Sequence, residues 1–469
     1  MRLGDSTVKR VTEQIAPDSK YWLEPGDLLI QRANTLDYVG AAAIYDGPKA
    51  QYIYPDLMMR VRIRAPELRH YVWRYLNSYG AREYFRAKAT GTAGNMPKIN
   101  GETVRSLPLP LPPAHEQRRI VAKLEALLAR SRRAKEALDA IPALLERFRQ
   151  SVLAAAFRGD LTRDWRAANP DVEHAFKLLE RIRFERRRRW ELAELDRMRA
   201  KGKAPRDDKW MERYEAGVPA TKTTGVLPAG WAWATVDELA EETVYGTSAK
   251  TNDDSSGVPV LRMGNIQDGK LELADLKFLP RDHSEFPGLL LTPGDVLFNR
   301  TNSPELVGKT AVYCGEPSST SFASYLLRVR VIHYSPLLLS HFINGPSGRE
   351  WVASVVSQQV GQANVNGTKL RALVVPVPPM DEQRAIVSRI DKALARANRV
   401  MDVAREQARR LESFDQAVLT KAFRGELVPQ DPTDEPASAL LQRIRTEREQ
   451  SADNTIGARL KRRRKTNAA

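Results

Sequence analysis

The sequence predicts an α+β protein built twice, with two mixed globular domains, each followed by a long helix carrying a coiled-coil seam. Three observations predict it. Pro112 to Leu161 returns 266 positions later, without a gap, as Pro378 to Leu427, and about 22 of the 50 aligned positions are identical. So long a period means two domain-sized units rather than a solenoid. Short β-type runs between turn formers precede each copy. Within each copy the apolar residues then step by four and three.

Composition narrows the class. A chain of 469 residues accommodates two or more domains, each with its own core. Its 74 Lys+Arg against 58 Asp+Glu leave a formal charge of +16, which suits a polyanionic partner such as nucleic acid. Cys314 is the single cysteine, which excludes disulfides within the chain and CxxC zinc sites. The six histidines lack metal-ligand spacing. No apolar run approaches a membrane span and the N-terminus has no signal-peptide core, so a cytoplasmic protein is expected.

The first domain, 1–112, and the third segment, 227–378, read alike. Glu24-Pro25-Gly26-Asp27 precedes the strand Asp27-Leu28-Leu29-Ile30, as Thr292-Pro293-Gly294-Asp295 precedes Asp295-Val296-Leu297-Phe298. A loop follows each, Gln31-Arg32-Ala33-Asn34 and Asn299-Arg300-Thr301-Asn302. Both domains exit through alternating prolines, which suit an extended segment entering a helix. The seam in 113–226 runs Ile120, Leu124, Leu127, Ser131, Ala134, Leu138, Ile141, Leu145, Phe148, Val152. Its copy in 379–450 runs Ile386, Ile390, Ala393, Ala397, Val400, Ala404, Gln407, Leu411, Phe414, Val418. Pro142 stands where the second copy has Ala408, so a kink or break is expected in the first helix alone. Leu178-Leu179-Glu180-Arg181-Ile182-Arg183 recurs as Leu440-Leu441-Gln442-Arg443-Ile444-Arg445, a shorter second helix in each unit. A Lys/Pro-rich linker near 200–225 leads to the next domain, and 451–469, with Lys461-Arg462-Arg463-Arg464-Lys465, is a basic tail expected to be disordered.

This arrangement resembles the specificity subunit of Type I restriction–modification enzymes. The matching residues are Pro113, Glu116, Gln117, Ile120, Val121 and Ala156-Phe157-Arg158-Gly159, then Pro379, Glu382, Gln383, Ile386, Val387 and Ala422-Phe423-Arg424-Gly425. Leu227-Pro228-Ala229-Gly230-Trp231-Ala232-Trp233 and Tyr245-Gly246-Thr247 look like the start of a target-recognition domain. The resemblance implies two target-recognition domains separated by two long antiparallel coiled-coil helices. Each domain would read half of a bipartite site in double-stranded DNA, while the helices fix the spacing. Methyltransferase subunits and restriction/translocase subunits would dock on the chain. S-adenosylmethionine, ATP and Mg²⁺ would belong to those partners, with no cofactor on this chain and no catalysis by it.

The candidate DNA-reading residues follow strands or fill predicted loops. Arg300 with Asn299 and Asn302, and Arg32 with Gln31 and Asn34, carry side chains that pair bidentately with guanine or adenine edges, although Asn and Arg also close polar turns. Lys250 joins Tyr245 and Thr247 as a further candidate. Lys98 and Asn100 recur as Asn364 and Asn366, where Asn-Gly also suits a tight turn. Glu116, Gln117, Glu382 and Gln383 are candidates for subunit docking, although a carboxylate in a first helical turn is also favoured by exposed amides. The arginines at 186–189 could meet phosphates or form a solvated helix face.

Other motifs fail. Gly308-Lys309-Thr310 resembles the end of a phosphate-binding loop, but the required earlier glycine is Ser303. The Asn-Pro-Pro-Tyr signature is absent, as are His-Glu-x-x-His and Gly-x-Ser-x-Gly. Two other classes stay open at this level: an enzyme acting alone, such as a nuclease with a degenerate site, and a coiled-coil scaffold with no DNA role. A related system with a fused methyltransferase–nuclease is a further variant. Arg2-Leu3-Gly4 matches Arg262-Met263-Gly264, which predicts that the chain starts inside its first recognition domain, with no first-copy partner for Leu227–Ser248.

Overall fold

Proline decides where the long helix of the first copy stops. Pro142 has no N–H to offer the preceding turn and its ring crowds the carbonyl four residues back, so the helix ends at Asp139 and a new one starts at Ile141. The second copy, with Ala408 there, is continuous from Met380 to Phe423. The computed structural model describes residues 8–450 except 64, 92–95, 204, 206, 222–224 and 360–361. The basic tail at 451–469 and the Arg2-Leu3-Gly4 match lie outside the described residues.

Two units divide the chain, one made of Met1–Ile141 with Val403–Ala469, the other of Pro142–Asp402. The first holds β1 (Leu28–Gln31), β2 (Ala42–Ile44), β3 (Met58–Val61), α1 (Arg69–Leu76), α2 (Tyr79–Lys88), α3 (Gly101–Arg105) and α4 (Ala114–Asp139). The second opens with α5 (Ile141–Phe157), α6 (Arg163–Ala168) and α7 (Ala175–Ala200). Next come β4 (Ala232–Thr235), α8 (Val236–Leu239), β5 (Ala240–Tyr245), β6 (Val258–Leu261), β7 (Ile266–Gln267), β8 (Lys270–Leu271) and β9 (Lys277–Leu279). Then follow β10 (Val296–Asn299), β11 (Thr301–Asn302), β12 (Thr310–Val312), β13 (Ser321–Phe322) and β14 (Leu326–Val331). It closes with α9 (Pro336–Asn344), α10 (Pro346–Val355), β15 (Ser357–Gln359), β16 (Gln362–Asn364), α11 (Gly367–Arg371) and β17 (Val374–Val377). The last helix, α12 (Met380–Phe423), contributes residues to both.

The first unit centres on an antiparallel sheet ordered β2-β1-β3, with Leu28 opposite Val61 and Leu28 opposite Ile44. Side chains alternate across it: Leu28 and Ile30 pack under Val72, Leu76 and Phe85, while Leu29 meets Leu23, Tyr45 and Met58 on the other face. The second unit repeats this in the sheet β12-β10-β14-β5. There Val296 and Phe298 face one core, and Leu297 faces another with Leu326 and Tyr313.

The duplication extends to hydrogen bonds. Asp27 accepts the Glu24 amide and pairs with Arg62, as Asp295 accepts the Thr292 amide and pairs with Arg330. The Asn77 side chain accepts the Ala42 amide, as that of Asn344 accepts the Thr310 amide. Arg82 donates to the Val39 and Asp37 carbonyls, as Arg349 donates to those of Val307 and Glu305. Gly40 and Gly308 both have φ near +80°, and a Cβ would strike Phe85 in one and Val352 in the other.

Within each unit the long helices run antiparallel. In the first, Ile120 and Leu124 near the start of α4 pack with Val418, Leu419 and Ala422 near the end of α12, and Lys135 pairs with Glu412. In the second, Arg149 bonds Asn398 while Thr162 bonds Glu382. The heptad seam is uneven: Ser131, Ala397 and Ala404 are buried, whereas Phe148, Val400 and Phe414 stay 43 to 48 % exposed. Small side chains such as Ala134 and Ala404 leave the middle little apolar surface to bury. The recurrent Leu-Leu helix caps each core, through Leu178, Leu179 and Ile182 in one unit, and through Leu440 and Ile444 of the helix over 437–450 in the other. No helix among the described residues is long and apolar enough to cross a membrane.

Candidate nucleic-acid interface

In the second unit the predicted residues converge where β10 ends. Asn299, the last residue of β10, is 1 % exposed. Its side-chain amide donates to the Leu306 carbonyl, and its backbone binds Lys309 and Gly308, so it closes the loop from within. Arg300 leaves the strand half-exposed. Its guanidinium lies over the Tyr245 ring, 5.0 Å from the centroid, and Nη1 donates to the Ser324 carbonyl at 3.1 Å. Tyr245 is 44 % exposed, and its hydroxyl accepts the Gly367 amide at 2.9 Å. That contact brings in the Asn366 turn, in which the Asn366 side chain caps α11 by accepting the Lys369 amide. Asn364 on β16 faces Thr301 of β11 and donates to its hydroxyl at 2.9 Å. Asn302, beside it, accepts the Ser303 amide.

Tyr245, Arg300, Asn302, Asn364 and Asn366 therefore form one patch, with Asn299 as its internal support. Thr247 is buried and its hydroxyl accepts the Ala249 amide, while Lys250 is exposed on the turn beyond. Sequence reading missed Tyr325. Its carbonyl accepts the Arg300 amide and its ring is exposed beside the patch. A signal existed, since Leu57 fills the same place ahead of the first-copy strand and accepts the Arg32 amide.

The first unit repeats the frame. Arg32 donates from Nη1 to the Asp56 carbonyl at 3.3 Å, the counterpart of Arg300 with Ser324. Gln31 accepts from the Asn34 amide, and Asn34 also accepts the Thr35 amide. Lys98 is exposed and bridges Ala33 and Thr90 through its backbone, while Asn100 caps α3 by accepting the Thr103 amide. No aromatic ring among the described residues stacks on Arg32 as Tyr245 does on Arg300.

The docking expectation for Glu116, Gln117, Glu382 and Gln383 is corrected by burial. Glu382 is fully buried, accepting from Thr162 and Arg166 through one oxygen and from the Trp231 indole through the other. Gln383 bonds the Ser335 amide and the Pro378 carbonyl. Glu116 and Gln117 are also buried, with Gln117 bonded to the Pro112 carbonyl. A partner cannot reach these groups, which join the helix start to the adjoining globular part. The arginines at 186–189 also have intramolecular partners: Arg186 lies near Asp237, Arg187 pairs with Glu191, Arg188 with Glu185, and Arg189 with Glu185 and Glu241. That pattern fits a solvated helix face.

Residues 9–142 match the family model described as the Type I restriction modification DNA specificity domain. The chain is 27 % identical over 378 residues to the Type I restriction enzyme EcoKI specificity subunit of Escherichia coli K12, covering 77 % of this chain and 68 % of that one. It is 25 % identical to the StySPI specificity subunit of Salmonella potsdam, covering 80 % and 71 %. Among solved structures it resembles a chain described under the complex assembly and conformational transition of the type I R-M system. The TM-score is 0.58 at 20 % identity, over 87 % of this chain and 83 % of that one, a likeness of fold.

Proposed function

We infer, because this chain belongs to the family of Type I restriction–modification specificity subunits, that it reads a bipartite site in double-stranded DNA, one half with each unit. The duplicated strand-end arginine carries this reading. Arg32 and Arg300 leave equivalent strands and grip equivalent carbonyls, so the same guanidinium is offered twice by one frame. Arginine suits the bidentate guanine edge, and the amides around Arg300 suit adenine. The +16 charge supplies the phosphate attraction that dominates affinity.

In this reading the chain is non-catalytic and works in the cytoplasm. It positions methyltransferase and restriction/translocase subunits, which carry S-adenosylmethionine, ATP and Mg²⁺. The long helices hold the two half-sites at a fixed spacing.

Selection of duplexes from a randomised library by the full-length chain tests this. The expected result is two short motifs separated by a fixed gap, bound with an affinity that falls steeply with salt. A single undivided motif, or binding insensitive to salt, overturns it.

A further inference from the structure

One exposed ring beside Arg300 lacks a partner. Tyr325 is 48 % exposed, and among the described residues its hydroxyl has no hydrogen bond and its ring no stacked ring or cation. Tyr245 differs, since its hydroxyl accepts the Gly367 amide and its ring carries the Arg300 guanidinium.

The backbone under Tyr325 is nevertheless fixed. The Leu326 amide closes the turn on the Ala323 carbonyl, Ala323 donates to the Leu261 carbonyl, and Ser324 donates to that of Thr247. A Cβ on Gly246 would lie 2.4 Å from the Ala323 carbonyl oxygen, so the chain after β5 presses on the same turn. The Tyr325 carbonyl accepts the Arg300 amide at 3.0 Å, while that of Ser324 accepts Arg300 Nη1. An aromatic ring with two side-chain torsions on a fixed turn has little freedom to lose when a ligand covers it.

The same place in the first unit holds Leu57, which accepts the Arg32 amide and is also exposed. Leucine and tyrosine share a large apolar body but no hydroxyl. The property kept beside both arginines is therefore apolar.

Position gives that property a target. Asn299 pairs with Leu326, and the Arg300–Tyr325 bond carries the register one step further. Arg300 and Tyr325 are thus neighbours on adjacent segments about 5 Å apart, whereas stacked base pairs rise by about 3.4 Å. An arginine on the O6 and N7 of guanine works in the major groove, where the apolar group on a base edge is the C5-methyl of thymine.

We propose that Tyr325 is a specificity-determining residue, packing its ring on the C5-methyl of a thymine in the base pair next to the one that Arg300 reads. This rests on the reading of Arg300 as a base-contacting residue. Cytosine at that place has no methyl and presents an amino group that the ring does not satisfy.

The test uses the full-length chain and the duplex selected from the randomised library. The Arg300 position is located as the base that Arg300→Ala ceases to discriminate, and thymine is expected in an adjacent base pair. Deoxyuridine in place of that thymine removes only the methyl, and the native chain should bind it about fourfold more weakly, or about 0.8 kcal/mol. Tyr325→Ala should bind the two duplexes equally, whereas Tyr325→Phe and Tyr325→Leu should keep the preference. The native comparison needs no variant to fold. Absence of thymine beside the Arg300 base, equal native binding of the two duplexes, a preference that survives in Tyr325→Ala, or one lost in Tyr325→Phe overturns the proposal and leaves the bipartite reading standing. Failure to select any bipartite motif removes that reading, and the proposal with it.

Discussion

The Arg300 guanidinium sits over the Tyr245 ring, and the Tyr245 hydroxyl is in turn fixed by the Gly367 amide. The arginine is thereby held near one orientation before any ligand arrives. A planar fork on a π face loses less freedom on binding than a free side chain, and with Nη1 bonded to Ser324 and Nε buried, the Nη2 end is the part left to a ligand. Arg300→Ala is expected to lower affinity for the selected duplex by about 1–3 kcal/mol and to relax one base position of one half-site. Titration against single-base variants of the duplex measures both.

Glu382 is the centre of a buried cluster with Thr162, Arg166 and Trp231. Removing one partner of such a cluster leaves the others desolvated and unpaired. Glu382→Ala is expected to destabilise the second unit by about 3–5 kcal/mol, and Glu382→Gln, which keeps the shape and one acceptor, by less. Chemical denaturation followed by circular dichroism compares the two.

His341 on α9 is half-buried, and desolvation lowers its pKa below the ordinary histidine value, against the weaker opposing pull of Asp391. A depressed folded pKa means that the unfolded chain takes up the proton first as pH falls. Stability from the neutral ring is therefore complete above about pH 6.5. It declines as pH falls below that value, until the folded group also protonates. A His341→Gln variant is expected to show a flatter loss of stability between about pH 6.5 and 5, read as denaturation midpoints across the series.

The contrast between Pro142 and Ala408 gives a paired test. Ala408→Pro places proline inside the continuous α12 and is expected to cost about 3 kcal/mol or more. Pro142→Ala acts where the helix is already broken and is expected to change stability by less than about 1 kcal/mol. Thermal unfolding of both variants checks this asymmetry.

Local rules carried much of this fold. The Pro-Gly-Asp turns, the helix break at Pro142 and the recurrent Leu-Leu helices each depend on residues close in sequence, so spacing alone revealed them. The patch around Arg300 was half legible. Strand-end position named Arg300 and recurrence before the proline run named Asn364, but the partition between a buried Asn299 and a half-buried Asn302 depends on which side chain turns inward. Glu382 was misread because its partners Thr162, Arg166 and Trp231 are far off in the chain. A first-turn glutamate looks the same in sequence whether it faces water or an indole.

The packing of Leu440 and Ile444 against Leu28 and Ile30 sets an order of assembly during synthesis. The second unit is one uninterrupted stretch, Pro142–Asp402, and has all its residues before the last part of the chain is translated. The first unit begins earlier but lacks the end of α12 and the helix over 437–450 until after the second unit has been made. Its sheet must wait with an uncapped face while its later neighbour folds, reversing the usual N-terminal-first sequence. A chain cut off after Asp402 would carry all the residues of the second unit attached to an unfinished first.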